Sequence, residues 1–239
     1  RRRDGGGGGG GDDGSGGGFD AFDPSLYAES LSRARSAASD LPPLSSVDRE
    51  MYTIRINTWR RNAQLLRSVD HHAKCDGVAQ IQVVWCDPDN DPPEEVARHP
   101  SGKVVVERHA LNTLNERFNV LSEPPTLGIL SMDDDVLRPC RAADAGFFRW
   151  TDHPDRIVGF DARLHVPDPN VEGGYKYGYL SAAERHNRYS LTLPRYCFLH
   201  RAYLDLYTTS LPRPIYDRVT AKFNCEDIAM SSYVSALTG

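Results

Sequence analysis

Four short apolar runs, each leading into a polar or helix-spaced stretch, constrain this chain more than anything else in it. MYTIRINTW (51–59), AQIQVVW (79–85), KVVVERH (103–109) and LGILSM (127–132) are rich in β-branched residues and predict strands. Between them, RNAQLLRSVDHHAKC (61–75) sets Leu65, Leu66, Val69 and Ala73 at helical spacing. LNTLNERFNVL (111–121) predicts a second helix, with Leu111, Leu114, Phe118 and Leu121 on one face. RAADAGFFRWTD (141–152) predicts a helix and RIVGFDARLHV (156–166) a strand, followed by a loop at Gly173-Gly174. YSLTLPRYCFLHRAYLDLY (189–207) reads as a strand passing into a helix, and DIAMSSYVSAL (227–237) as the last helix. No internal repeat is visible. Strands alternating with helices predict an α/β fold, a mostly parallel sheet with helices on both faces. In such sheets ligands sit beyond the carboxyl ends of the strands, where the strand order switches.

The rest of the chain frames this domain. RRRDGGGGGGGDDGSGGG (1–18) has too little apolar surface to offset its ordering entropy, so residues 1–21 are expected to be a disordered Gly-rich tail. Residues 22–47 form a leader. A helix is predicted from Pro24 to about Ala38, with Leu26, Leu31 and Ala34 on one side, ended by Leu41-Pro42-Pro43. The main domain is placed at 48–239. A net charge of −5 argues against nucleic acid as a partner, because that needs a basic face. No run approaches the ~20 apolar residues of a membrane span, and no apolar signal segment is present. The chain starts at Arg1 rather than Met, which leaves room for an upstream anchor or signal. None of the five cysteines forms a CxxC pair, and their odd number leaves at least one thiol unpaired within the chain. Their spacing fits scattered core thiols or one disulfide.

Asp133, Asp134 and Asp135 stand at the end of the strand LGILSM. Three adjacent carboxylates repel one another, and a divalent cation is the usual remedy. Oxygen-only ligands favour Mg²⁺, Mn²⁺ or Ca²⁺ over zinc. Continued strand alternation would turn Asp133 and Asp135 to one face and Asp134 to the other. DPDNDPPE (87–94) carries Asp87, Asp89 and Asp91 at EF-hand spacing, but Pro92 and Arg98 stand where Gly and Glu belong, so it reads as a solvated loop. His71-His72 with Cys75 reads as a surface pair rather than a metal site. A nucleotide-sugar hydrolase or pyrophosphorylase would want a Gly-rich phosphate loop after the first strand, and there is none.

Several segments together resemble the C-terminal glycosyltransferase domain of the exostosin family, glycosyltransferase family 64. They are YTIRINTWRRN (52–62), VVW (83–85), NTLNERF (112–118), SMDDD (131–135), RIVGF (156–160) with Arg163 and His165, and NCEDIAM (224–230). They occur in order over residues 50–239, and the leader FDPSLYAESLSRARS is most similar to plant members, which resemble transferases acting on glycosylated inositol phosphoceramides. The resemblance implies a GT-A fold, Mn²⁺ or else Mg²⁺, and transfer with retention from a nucleotide-sugar donor, a UDP-N-acetylhexosamine or GDP-mannose. It implies a glycan or sphingolipid acceptor, a membrane-anchored place in the Golgi or endoplasmic reticulum lumen, and room for homo- or hetero-oligomers. It also implies roles. Arg61 would stack on the base, Asn112 and Arg117 would contact nucleotide and phosphate, and Asp133 to Asp135 would form the DxD with Asp135 on the metal. Asp227 would be the active-site carboxylate, with Glu226 beside it.

Two departures from the family pattern carry expectations. Cys86-Asp87 follows VVW where the family has Asn, so Asp87 would replace that contact by accepting from a ribose hydroxyl. The family's domain continues past NCEDIAM, with a basic segment that closes on the diphosphate and a cysteine that pairs with the one at Cys225. A chain without that part is expected either to be a fragment of an active transferase or to be a catalytically impaired GT-A domain, a nucleotide-binding partner or regulator of an active one.

Overall fold

A computed structural model describes residues 24–239; the Gly-rich stretch expected to be disordered lies outside them. A 3-10 turn at Pro24–Tyr27 leads into α1 (Ala28–Ser39). Then follow β1 (Tyr52–Thr58), α2 (Asn62–His72), β2 (Val78–Trp85), α3 (Glu94–Ala97), β3 (Val104–Arg108), β4 (Gly128–Asp133) and α4 (Cys140–Asp152). The second half holds β5 (Val158–Gly159), β6 (Ala162–Pro167), β7 (Tyr175–Gly178), α5 (Leu180–His186), β8 (Leu191–Thr192) and β9 (Tyr196–His200). It ends with α6 (Ala202–Ser210), α7 (Arg213–Lys222) and α8 (Glu226–Thr238).

The main sheet has the order β3-β2-β1-β4-β9-β5. The first four strands are parallel; β9 and β5 close the far edge antiparallel. A smaller antiparallel sheet, β7-β6-β8, stands beside it. One face of the main sheet is apolar. Ile54 and Ile56 of β1, Val83 and Trp85 of β2 and Leu130 of β4 pack there against Leu65 and Val69 of α2 and Phe147 and Trp150 of α4. A second core forms where Ile129 and Leu199 meet Ala34 and Ala38 of α1, Tyr203 and Tyr207 of α6, and Met230 and Val234 of α8. Under β1 to β3 the other face is polar yet buried, with Thr53, Arg55, Gln82 and Glu107 all inaccessible to solvent.

Several expectations change. The helix over 111–121 shrinks to a 3-10 turn at Leu114–Phe118. Leu111 and Leu121 are 60% and 55% exposed, while Asn115, Glu116 and Arg117 are buried. Each of those polar side chains finds an interior partner, which overrides the apolar spacing. The strand over 156–166 divides into β5 and β6, which belong to different sheets. The run 189–207 likewise divides, into β8, β9 and α6.

His71 and His72 are not a surface pair. His72 is fully buried, held through Nδ1 by the Ser68 carbonyl at 2.8 Å, and burial lowers its pKa to about 4. His71 Nε2 lies 2.7 Å from the Arg138 carbonyl oxygen. Cys75 and Cys140 form a disulfide that ties the end of α2 to the start of α4. Closing a loop of 65 residues is worth about 4 kcal/mol in the chain-entropy treatment. Replacing both cysteines with serine is therefore expected to lower the unfolding free energy by about 2–5 kcal/mol in urea titrations. An unchanged midpoint would show that the bridge does not form.

Candidate active site

β1 lies between β2 and β4, where the strand order turns back on itself, and Asn57 is in register with Asp133. The chain leaving β1, Thr58-Trp59-Arg60-Arg61, and the carboxylates ending β4 thus meet at the switch point. Arg60 takes up the left-handed region at φ 55°. That turns its guanidinium onto Asp87, with Nε to Oδ2 at 2.9 Å, and over the Trp59 ring at 4.8 Å.

Strand alternation does not carry through the triplet. β4 ends at Asp133, and Asp134 and Asp135 lie in the turn that follows. Asp133 goes one way, to Arg117 Nη2 at 2.5 Å and toward Arg195 Nε at 3.7 Å. Asp134 and Asp135 go together to Arg61, at 3.1 and 3.3 Å. Asp134 is 1% exposed and accepts from Thr58 Oγ1 at 2.7 Å. Burial raises its pKa, despite Thr58 and Arg61. Its Oδ1 is held only by the ion pair with Arg61 Nη2. Asp135 is the open member, its side chain 40% exposed.

Arg117 is the hub of the other side. It is buried, donates from Nη1 to the Pro194 carbonyl at 3.2 Å, and lies 3.6 Å from Glu226 Oε1. Burial works against its charge, but Asp133, Glu226 and Asp227 outweigh that and raise its pKa. Glu226 and Asp227 begin α8, where the helix dipole favours acids. Burial raises the pKa of Glu226, although Arg117 opposes it. Asp227 is half-buried and accepts from the Ile228 N–H through Oδ1 at 2.7 Å. The loop before α8 holds Phe223 and Cys225 in the left-handed region, at φ 49° and 73°. With Arg60, three of the four described non-glycine residues at positive φ border this site, where such strain tends to gather.

Asn57, Thr58, Arg61, Asn112, Leu114 and Phe223 line a cleft of about 380 Å³. The structure therefore brings together Arg61 and Asn112 around one cavity, and Arg117, Asp133, Glu226 and Asp227 around one buried charge. Asp87 does not join them. It is 2% exposed, its oxygens taken by Arg60 and Asn90, while Pro88 to Asp91 of the same stretch are exposed, as a solvated loop requires. Sequence reasoning did not single out Thr58 or Arg195, which no local motif marks. On the flank, Arg163 pairs with Asp161 and donates to Tyr177 Oη at 2.9 Å. Tyr175, Tyr177 and Tyr179 stand exposed along β7 and just past its end.

A doubly wound sheet whose switch point is ringed by carboxylates and arginines is the GT-A-like form of the α/β class. Residues 52–239 match the Glycosyl transferase family 64 domain, and the chain belongs to that family. It is 35% identical over 207 residues to Glycosylinositol phosphorylceramide mannosyl transferase 1 of Arabidopsis thaliana, covering 81% of this chain and 62% of that protein. It is 32% identical over 200 residues to Exostosin-2 of Homo sapiens, covering 82% and 27%. Glucosamine inositolphosphorylceramide transferase 1 of Arabidopsis thaliana is 29% identical over 173 residues, covering 72% and 21%. The chain thus spans less than two thirds of the length of each of these relatives. Superposition on the GDP-Man- and Mn²⁺-bound mannosyltransferase PcManGT of Pyrobaculum calidifontis is loose. Its TM-score is 0.43 at 14% identity over 79% of this chain and 56% of that one.

The triplet suits a hard divalent cation by its donor chemistry, all carboxylate oxygen, with the buried Oδ1 of Asp134 held only by its ion pair with Arg61. It is not a closed cage. Among the described residues, the one group of three His, Cys, Asp or Glu ligand atoms within 4.8 Å is His71, Cys75 and Cys140, two of which form the disulfide. An open arrangement of this kind leaves coordination positions for a ligand. Thr58→Val should cost about 1–3 kcal/mol at pH 7, since it strips a partner from a buried carboxylate. Because the Asp134 pKa is raised, that cost should shrink as acid protonates it. Denaturation curves at pH 7 and at successively lower pH check this; a cost that does not change with pH would break the link to Asp134.

Proposed function

We propose that this chain carries the donor site of a metal-dependent retaining glycosyltransferase that uses a nucleoside-diphosphate sugar. The observation that carries the reading is the switch-point cleft, with Arg61 and Asn112 on its wall and Arg117 buried beside the aspartates. Arg61 and Asn112 bind the nucleoside. Arg61 offers a flat guanidinium for the base, and Leu114 and Phe223 offer apolar surface. Arg117 binds the diphosphate side, because a buried, permanently charged fork suits phosphate oxygens. Asp135, with Asp133 as second ligand, would hold Mn²⁺ or Mg²⁺. When bound, that ion neutralises charge on the departing diphosphate.

Asp227 orients the acceptor hydroxyl and stabilises positive charge at the sugar carbon, its Oδ1 already fixed by the Ile228 N–H. The new glycosidic bond forms on the face the nucleotide leaves, and a diphosphate oxygen takes the acceptor proton. Glu226 keeps Arg117 charged and in place. The acceptor approaches over the small sheet, where Arg163 and the β7 tyrosines form the wall. Glycosylinositol phosphorylceramide mannosyl transferase 1 supports mannose, from GDP-mannose, as the donor to test first and a phosphorylceramide glycolipid as the acceptor class. A hexosamine donor is the other arm. The Cys75–Cys140 disulfide supports an oxidising compartment, the Golgi or endoplasmic reticulum lumen. Among the described residues no helix is long and apolar enough to cross a membrane.

Calorimetric titration of UDP and GDP, each with and without Mn²⁺, tests the reading. One nucleotide should bind, only with the metal, and Asp135→Ala should abolish that binding. Asp227→Ala should keep the binding and lose sugar transfer to a glycolipid acceptor by at least about a hundredfold. Metal-independent binding, or normal transfer by Asp227→Ala, would overturn the assignment.

A further inference from the structure

The buried polar face beneath β1 to β3 holds a charge cluster that the proposed mechanism does not use. Arg55 is fully inaccessible to solvent, and its Nη2 pairs with Glu107 Oε2 at 3.0 Å. It also donates to the carbonyls of Arg117 at 3.4 Å and Asn119 at 2.7 Å, the backbone on which the donor-site arginine sits. His109 lies between two carboxylates, 3% exposed, with Nδ1 2.6 Å from Glu116 Oε2 and Nε2 3.5 Å from Glu107 Oε2. Glu116 also accepts from Asn119 Nδ2 at 2.9 Å and Thr113 Oγ1 at 3.3 Å. The 3-10 turn bearing Arg117 is thus gripped at both ends.

Two physical arguments fix the charge of this histidine. In the neutral ring one nitrogen is an acceptor, so one of the two contacts would set a lone pair against a carboxylate oxygen. Protonating both nitrogens removes that repulsion. It also offers a partner to His109 Nε2, which is buried and otherwise without a hydrogen bond. Charge accounting agrees. Arg55 balances one of the two glutamates, and only an imidazolium balances the other. Arg117 points away, its charge matched by Asp133 and Glu226. The other titratable groups facing Glu116 are Cys86, just after β2, and Tyr216 of α7, both kept neutral by burial, the thiol pushed up to about 12.

We propose that His109, held as an imidazolium between Glu107 and Glu116, is a positioning residue that fixes Arg117 for the donor diphosphate, so that nucleotide affinity depends on its proton. The role rests on the diphosphate reading of Arg117 given above. Burial opposes the charge of His109, but the hydrogen bonds and charges of Glu107 and Glu116 outweigh it and raise its pKa. A raised histidine contributes in full below its unfolded pKa of about 6.5 and loses its contribution as pH rises through the folded value. Donor binding should therefore weaken on the alkaline side.

Nitrogen-15 NMR of the histidine rings in the full chain, with His109→Gln for assignment, reads the charge directly. Both ring nitrogens of His109 should carry protons at pH 7. UDP and GDP titrations with Mn²⁺ supply the second readout. For the nucleotide that binds, His109→Gln should weaken affinity about tenfold at pH 7, or about 1.4 kcal/mol. That gap should close as the wild-type ring loses its proton, and Arg117→Ala should leave affinity insensitive to His109→Gln. A neutral ring at pH 7, or wild-type affinity in His109→Gln, overturns the role of His109 alone. A wild-type chain that binds neither nucleotide while the ring stays charged overturns the diphosphate reading, and this role with it.

Discussion

The charge on Arg117 organises the site. A guanidinium this deeply buried must be matched, and Asp133 and Glu226 match it from opposite ends of the fold. Asp133 reaches it because β4 runs parallel to β1 and stops there. Glu226 reaches it because α8 starts there, its first turn tucked against the same cation. The antiparallel strand β9 adds a third contact, since the Pro194 carbonyl just before it accepts from Nη1 of the guanidinium. Removing either acid would leave a buried charge half matched, which commonly costs several kcal/mol.

The two faces of the sheet divide the labour. The apolar face under α2 and α4 supplies the hydrophobic stabilisation and is tied by the Cys75–Cys140 bridge. The polar face carries Arg55, Gln82, Glu107 and His109, each satisfied mainly by its neighbours, and it supports the turn that bears Arg117. Such networks contribute rigidity and specificity more than net stability. One face gives the domain its stability; the other sets where a guanidinium stands.

Much of this was legible in the sequence. β1 and β3 lie within the predicted runs and β2 and β4 exceed theirs by one residue each, because parallel strands packed between layers concentrate β-branched apolar residues. The aspartate triplet and the pair Glu226-Asp227 sit at element ends, where composition marks them. Residues 111–121 misled, because leucine spacing suggested a helix while Asn115, Glu116 and Arg117 are buried beside Phe118 and Leu111 and Leu121 are exposed. Nothing local announces a buried polar face; its partners are distant in sequence, as Arg55 and Glu107 are. α7 escaped for a related reason, as Val219 is its one buried residue, and β7 because YKYG has exposed tyrosines and no apolar alternation. The disulfide lay beyond reach, since any pairing among five scattered cysteines depends on the fold that brings Cys75 to Cys140.

The pairing of Asn57 with Asp133 makes β4 a ruler. A single residue inserted or deleted between Gly128 and Met132 would shift the triplet by one place against β1. The wrong carboxylate would then face Arg117, and the residue next to Thr58 would no longer be Asp134. Substitutions along this strand can be absorbed by repacking; changes of length cannot. Diversification of such a domain is thus channelled into its loops and its smaller sheet, while the spacing between the first and fourth strand ends stays fixed like the teeth of a key.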